Sequence, residues 1–206
     1  MSKFMELFDD MLMHGYDEEY IDKYLMNEFK KDYPRFEKVS FSQFCNDWLK
    51  NFPDDWDGNN KDDIHDIKTM YDALTLPSRS TAHSAGYDFV SPLNFMLKPG
   101  ETIMIPTGIR AYMPNDMVLM AFPRSGLGTK YQLGLCNTVG IIDADYYNAD
   151  NEGHIHIKLV NRGDERAYVD GGQAFAQGIF LPYYTVYGDD VTSSRSGGFG
   201  STDRKQ

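Results

Sequence analysis

Two carboxylates, Asp143 and Asp145, stand two residues apart at the end of the apolar run 139–142, and Tyr146 and Tyr147 follow at once. On a β pleat that spacing points both acids to one face, so that a buried one anchors a turn while the other does chemistry beside an aromatic ring. The tract 148–153, Asn-Ala-Asp-Asn-Glu-Gly, predicts a chain reversal, and with it a hairpin carrying an acid at its mouth. An Asp at a strand end is also a common turn former, so the pair gains meaning from its company.

That company is four further segments. Ser84-Ala85-Gly86-Tyr87-Asp88 sets a glycine, which permits close backbone approach, before an acid able to reach a hydrated divalent cation. Pro123-Arg124-Ser125-Gly126-Leu127-Gly128 puts a guanidinium and a hydroxyl beside two glycines, the makings of an oxyanion or phosphate cradle. Gly171 to Gln177 is the fourth segment, and Arg195-Ser196-Gly197-Gly198-Phe199-Gly200-Ser201-Thr202 the last. A Gly/Ser tail is ordinarily a solvated end. Phe199 between glycines fits better an arm that closes over a flat ring while its Arg and hydroxyls meet phosphate. Singly each segment has an ordinary reading; together the five are far more specific.

The elements that must carry these segments change character along the chain. Residues 2–51 have helical periodicity: a helix capped by Ser2 and ended at Gly15, a second capped by Asp17 and closing before Pro34, a third from Ser40 stopped by Pro53. The turn-rich stretch 53–60 reads as a linker. From about residue 64 strand-length apolar runs follow one another at 87–90, 95–97, 102–105, 109–113, 117–122, 132–135, 139–142, 154–160, 166–169 and 174–183, with no long helical pattern among them. The expectation is a mainly β protein, an antiparallel barrel or sandwich of the jelly-roll kind, with an α-helical N-terminal extension. Its parts are an acidic extension and linker, 1–63, a β domain, 64–191, and a glycine-rich arm, 192–206.

Composition narrows the function classes. The 206 residues carry a net charge of −11. Residues 1–63 hold 16 acidic against 8 basic side chains. Such a surface argues against general nucleic-acid binding, which needs many phosphate contacts from Lys and Arg. No apolar run approaches membrane-spanning length, the N-terminus lacks a basic signal segment, and two distant cysteines make no disulfide framework; a soluble, intracellular, cytoplasmic protein is expected. His154 and His156 share a strand face like a metal pair, but with no third ligand close in sequence a partly exposed sheet face is the expectation.

In this order the five segments resemble the motifs of the homotrimeric dUTP diphosphatases: Ala85-Gly86-Tyr87-Asp88, Pro123-Arg124-Ser125-Gly126, Gly140-Ile141-Ile142-Asp143-Ala144-Asp145-Tyr146, Gly172 to Gln177, and Gly197-Gly198-Phe199-Gly200-Ser201-Thr202. The likeness covers residues 64–202 and leaves out 1–63. It implies a jelly-roll trimer with sites shared between chains, hydrolysing dUTP to dUMP and pyrophosphate with Mg²⁺. It implies that Asp143 activates the attacking water and that Asp88 holds the metal through its water shell. Arg124, Ser125 and Gln177 match phosphate contacts, Asn137 a side chain that orders the site, and Tyr146 the ring packed on deoxyribose. Gly126, Gly140, Ile142 and Gly200 fall on further substrate-binding positions, uracil being read largely by backbone of the hairpin. From the tail, Phe199 would stack on uracil while Arg195, Ser201 and Thr202 meet the terminal phosphates. The hairpin departs from shorter relatives by the residues 148–151. Two rival readings are a dCTP deaminase, which shares the fold but needs a proton-shuttling acid where this chain has His154, His156 and Lys158, and a regulatory protein that engages a protein partner through residues 1–63.

Overall fold

A computed structural model describes residues 3–29 and 33–193. Ser2, expected as a cap, and the tail positions Arg195, Phe199, Gly200, Ser201 and Thr202 lie outside the described residues. The first two helices, α1 (Lys3–Met13) and α2 (Glu18–Phe29), are joined by a turn in which Gly15 takes φ +83°. Asp17 caps α2 by accepting the Tyr20 N–H at 2.8 Å. Ile21 and Leu25, one turn apart, form the buried stripe of α2, and Tyr16, Tyr20 and Tyr24 stack along its exposed side.

The chain then enters the β region earlier than its periodicity suggests. Strand β1 (Arg35–Lys38) pairs with a strand of the main domain, and α3 (Phe41–Asn51) follows, capped by Ser40, whose hydroxyl accepts the Gln43 N–H at 3.1 Å. A fourth helix, α4 (Lys61–Ala73), was not read from the sequence: its apolar residues are sparse, and Ile67 alone is fully buried among them. Asn60 caps it, and Asp62 and Asp63 complement the dipole of its first turn. It runs across the expected boundary near residue 64. With α3 it encloses a core of Val39, Phe44, Cys45, Trp48, Ile67 and Leu74.

Eleven more strands follow: β2 (Ser78–Arg79), β3 (Tyr87–Val90), β4 (Phe95–Leu97), β5 (Thr102–Pro106), β6 (Ile109–Tyr112), β7 (Met117–Pro123), β8 (Leu133–Leu135), β9 (Gly140–Asp143), β10 (His156–Asn161), β11 (Ala167–Val169) and β12 (Ala174–Pro182), with a short helix α5 (Ser125–Tyr131) between β7 and β8. Pairing is antiparallel throughout, in the orders β2-β3-β12-β7-β9, β5-β10-β8, β11-β4 and β1-β6. Apart from β2 and β3, paired strands are not consecutive in the chain, so strands cross between layers in the jelly-roll manner. The main core lies between the layers and includes Ile105, Leu119, Ile157, Leu159 and Phe175, each at most 2 % exposed. Leu135, Ile142 and Ile157 carry that core to the strands that bear the third segment. Cys45 and Cys136 are both free thiols, and no helix among the described residues is long and apolar enough to cross a membrane.

Candidate functional site

Two groups of polar residues form, one at the C-terminal end of β7 and one along its pairing with β9. At its C-terminal end Arg124 precedes α5, whose first-turn amides, like those of any helix, have no carbonyl within the helix to bond. The Arg124 guanidinium donates to Asp88 Oδ1, and Ser80 Oγ donates to Asp88 Oδ2 at 2.7 Å. A one-residue bulge between Ala174 and Ala176 resets the register of β12, and Gln177 comes to lie opposite both Asp88 and Phe122. Its amide donates to the Pro123 carbonyl at 3.1 Å. A Cβ at Gly86 would fall 2.3 Å from Gln177 Oε1, so a larger residue there would displace the Gln177 amide. Asp88, Arg124 and Gln177 are thus brought together, with Ser125 and Gly126 exposed beside them. Ser80 was missed in the sequence because nothing in a short polar loop marks which hydroxyl turns back.

At the other end β9 pairs with β7 so that Asp143 lies opposite Val118. Asp143 and Asp145 are both exposed, and Asp145 belongs to the 3₁₀ turn Ala144–Asn148 rather than to a strand. The two acids therefore do not share a pleat, and neither is the buried anchor expected. That anchor is Tyr146, 4 % exposed, whose hydroxyl donates to the His154 carbonyl at 2.7 Å and accepts from Asn151 at 2.8 Å. Asn137, Gly140 and Ile142 converge on a cavity of about 190 Å³ walled also by Leu135, Met104 and His156. A cavity of roughly 150 Å³ holds one benzene ring, so this one has room for a six-membered base. Thr138, at φ +67°, makes the tight turn that presents Asn137. Arg124, just past β7, lies six residues from Val118, about 20 Å at ~3.3 Å per residue, so Asp143 and Arg124 of one chain cannot grip the same small group.

The metal pair His154 and His156 acquires the third group the sequence could not supply, Asp47 of α3. His154 Nδ1 and His156 Nε2 lie 2.6 and 3.2 Å from Asp47 Oδ2, and His154 is fully buried rather than part of an exposed sheet face. The spacing would suit a transition metal, but the chemistry of His154 opposes it. Its Nε2 accepts the Gly108 N–H at 2.8 Å, so the proton of the neutral ring sits on Nδ1 and is donated to Asp47. A metal-bound histidine has the reverse arrangement, its other nitrogen donating. Burial holds the His154 ring below its ordinary pKa against the opposing bond to Asp47. Burial would raise Asp47, but the bonds from both histidines and Gln43 hold it well below the usual carboxylate range.

Comparison with known proteins follows this geometry. The family model described as dUTPase matches residues 72–203. Deoxyuridine 5'-triphosphate nucleotidohydrolase of Lactococcus lactis is 44% identical over 132 residues, covering 63% of this chain and 88% of that protein. The enzyme of the same name from Desulfitobacterium hafniense is 38% identical over 138 residues, with the same coverage, 63% and 88%. The crystal structure of dUTPase from Streptococcus mutans superposes with a TM-score of 0.52 at 34% identity, over 74% of this chain and 98% of that one.

Proposed function

Because the chain belongs to the dUTPase family, we propose that it hydrolyses dUTP to dUMP and pyrophosphate at sites shared between copies of the chain. The observation that carries this reading is the separation along β7 of Asp143, opposite Val118, from Arg124, which follows the last residue of that strand. A nucleoside triphosphate needs both halves. The cavity of Asn137, Gly140 and Ile142 takes uracil, with Tyr146 against the deoxyribose, while Arg124, Ser125, Gly126 and Gln177 of another copy hold the phosphates. Asp143, directly after Ile142, accepts a proton from water as the water oxygen attacks the α-phosphorus in line and the bond to the β-phosphate oxygen breaks. Arg195, Phe199, Gly200, Ser201 and Thr202 of the tail complete the site over the base and the terminal phosphates.

Asp88 suits a hydrated Mg²⁺. It is a single half-buried carboxylate whose oxygens already accept from Arg124 and Ser80, so it meets the ion through water, and Mg²⁺ keeps several of its waters. When bound, the ion neutralises charge on the phosphate oxygens. Assembly into a cyclic trimer agrees with the chain after β12. Tyr183 is held by Asn115 and Asp116, after which Tyr184, Val186 and Tyr187 stand 95, 78 and 106 % exposed, an apolar run that no other described residue covers. Release of pyrophosphate, measured across dUTP, dCTP, dTTP and UTP, tests the function. Turnover of dUTP should exceed the others by about 100-fold or more, since a tight polar pocket discriminates strongly; equal turnover of UTP or dCTP would refute it.

A further inference from the structure

Residues 35–52 make polar contacts with residues 147–156 at three places, and the Phe44 ring also lies 6.2 Å from the His154 ring. Glu37 Oε2 accepts the Tyr147 hydroxyl at 2.7 Å, and Arg110 joins the pair at 2.8 Å from each oxygen. Hydrogen bonds from Tyr147, Arg35 and Arg110 overcome burial and hold Glu37 at about 2. At the second place Glu152 accepts both the Ser40 N–H at 2.7 Å and the Ser40 hydroxyl at 2.6 Å. Glu152 has φ +57°, a left-handed conformation unusual for a residue other than glycine, which these bonds stabilise. The third is Asp47, bound to His154 and His156. The third contact leads on to the nucleotide half-site: His156 walls the cavity, and the His154 carbonyl receives the Tyr146 hydroxyl. Residues 144–155 make no strand of their own, and the stretch 148–151 that lengthens this loop lies between the first two contacts.

We propose that residues 35–52 are a built-in brace for the nucleotide-reading loop, with Asp47 as a positioning residue that sets the cavity wall through His156 and the Tyr146 ring through His154. The inference rests on the reading of the cavity as the base site. The wall touches a part of the substrate that does not react, so its displacement weakens ground state and transition state alike and appears in KM. Asp143 is positioned by β7 instead, so kcat is spared. Partial unfolding does the opposite, removing active molecules and lowering apparent kcat at constant KM.

The test is steady-state kinetics with dUTP on the full chain carrying Asp47→Ala or Asp47→Asn. Asp47→Ala should raise KM by at least about tenfold, and Asp47→Asn, which keeps the size and an acceptor oxygen but not the charge, by about fivefold, with kcat within about twofold of wild type in both. If Asp47→Ala does not fold, the Asn variant decides the matter alone. An unchanged KM in the folded variants, or a fall in kcat without a change in KM, would overturn the brace. Wild-type protein that releases no pyrophosphate from dUTP would overturn the reading of the cavity, and the brace with it.

Discussion

At the scale of single residues, the proposed chemistry rests on a carboxylate that the fold exposes and an arginine that it ties to another acid. Asp143 sits at the end of β9 and is exposed, as a base that must meet water requires. Asp143→Asn is expected to keep nucleotide binding, measured by calorimetry with dUTP, and to lower turnover by about 10²- to 10⁴-fold. Gly86, Arg124 and Asp143 were legible in the sequence as candidates, because each stands in a short segment of unusual composition. Asp47, Ser80 and His156 were not, since each acquires its role only from a partner 8 to more than 100 residues away. The pairing of Asp143 with Asp145 misled for a local reason: strand periodicity ends at residue 143, where a 3₁₀ turn begins.

At the scale of elements, β3 to β12 were legible because apolar runs bounded by Gly, Pro and Asn leave little choice of structure, whereas β1 and β2 are short, polar and were missed. Helix α4 was missed because packing against α3, rather than a strong apolar stripe of its own, holds it. The docking of α3 onto the β domain predicts a pH dependence. His154 is neutral in the fold, its pKa lowered by burial, whereas the unfolded chain takes up that proton near pH 6.5, the ordinary histidine value. Unfolding thus binds a proton as pH falls through about 6.5, and stability present above that value is lost below it. A proton added to Nε2 would also face the Gly108 N–H. The melting temperature should fall from pH 8 to 5.5 in the wild type and fall less in His154→Gln. Equal slopes in the two proteins would remove His154 from the account.

At the scale of the whole molecule, a sheet about 20 Å long between Asp143 and Arg124 is what puts the two halves of the proposed site on different chains. Closing a ring brings unlike ends together, which a cyclic trimer does three times over. The apolar run at Tyr184, Val186 and Tyr187 is the surface such a ring would cover. Complementation between Asp143→Asn and Arg124→Gln, each nearly inactive alone, is the most direct measurement of that division. Chains of the two variants unfolded, mixed in equal amounts and refolded together should regain about a quarter of wild-type dUTP turnover, the share of sites that draw each intact residue from a different chain. A mixture no more active than either variant by itself would place Asp143 and Arg124 in the same chain's site and contradict the account.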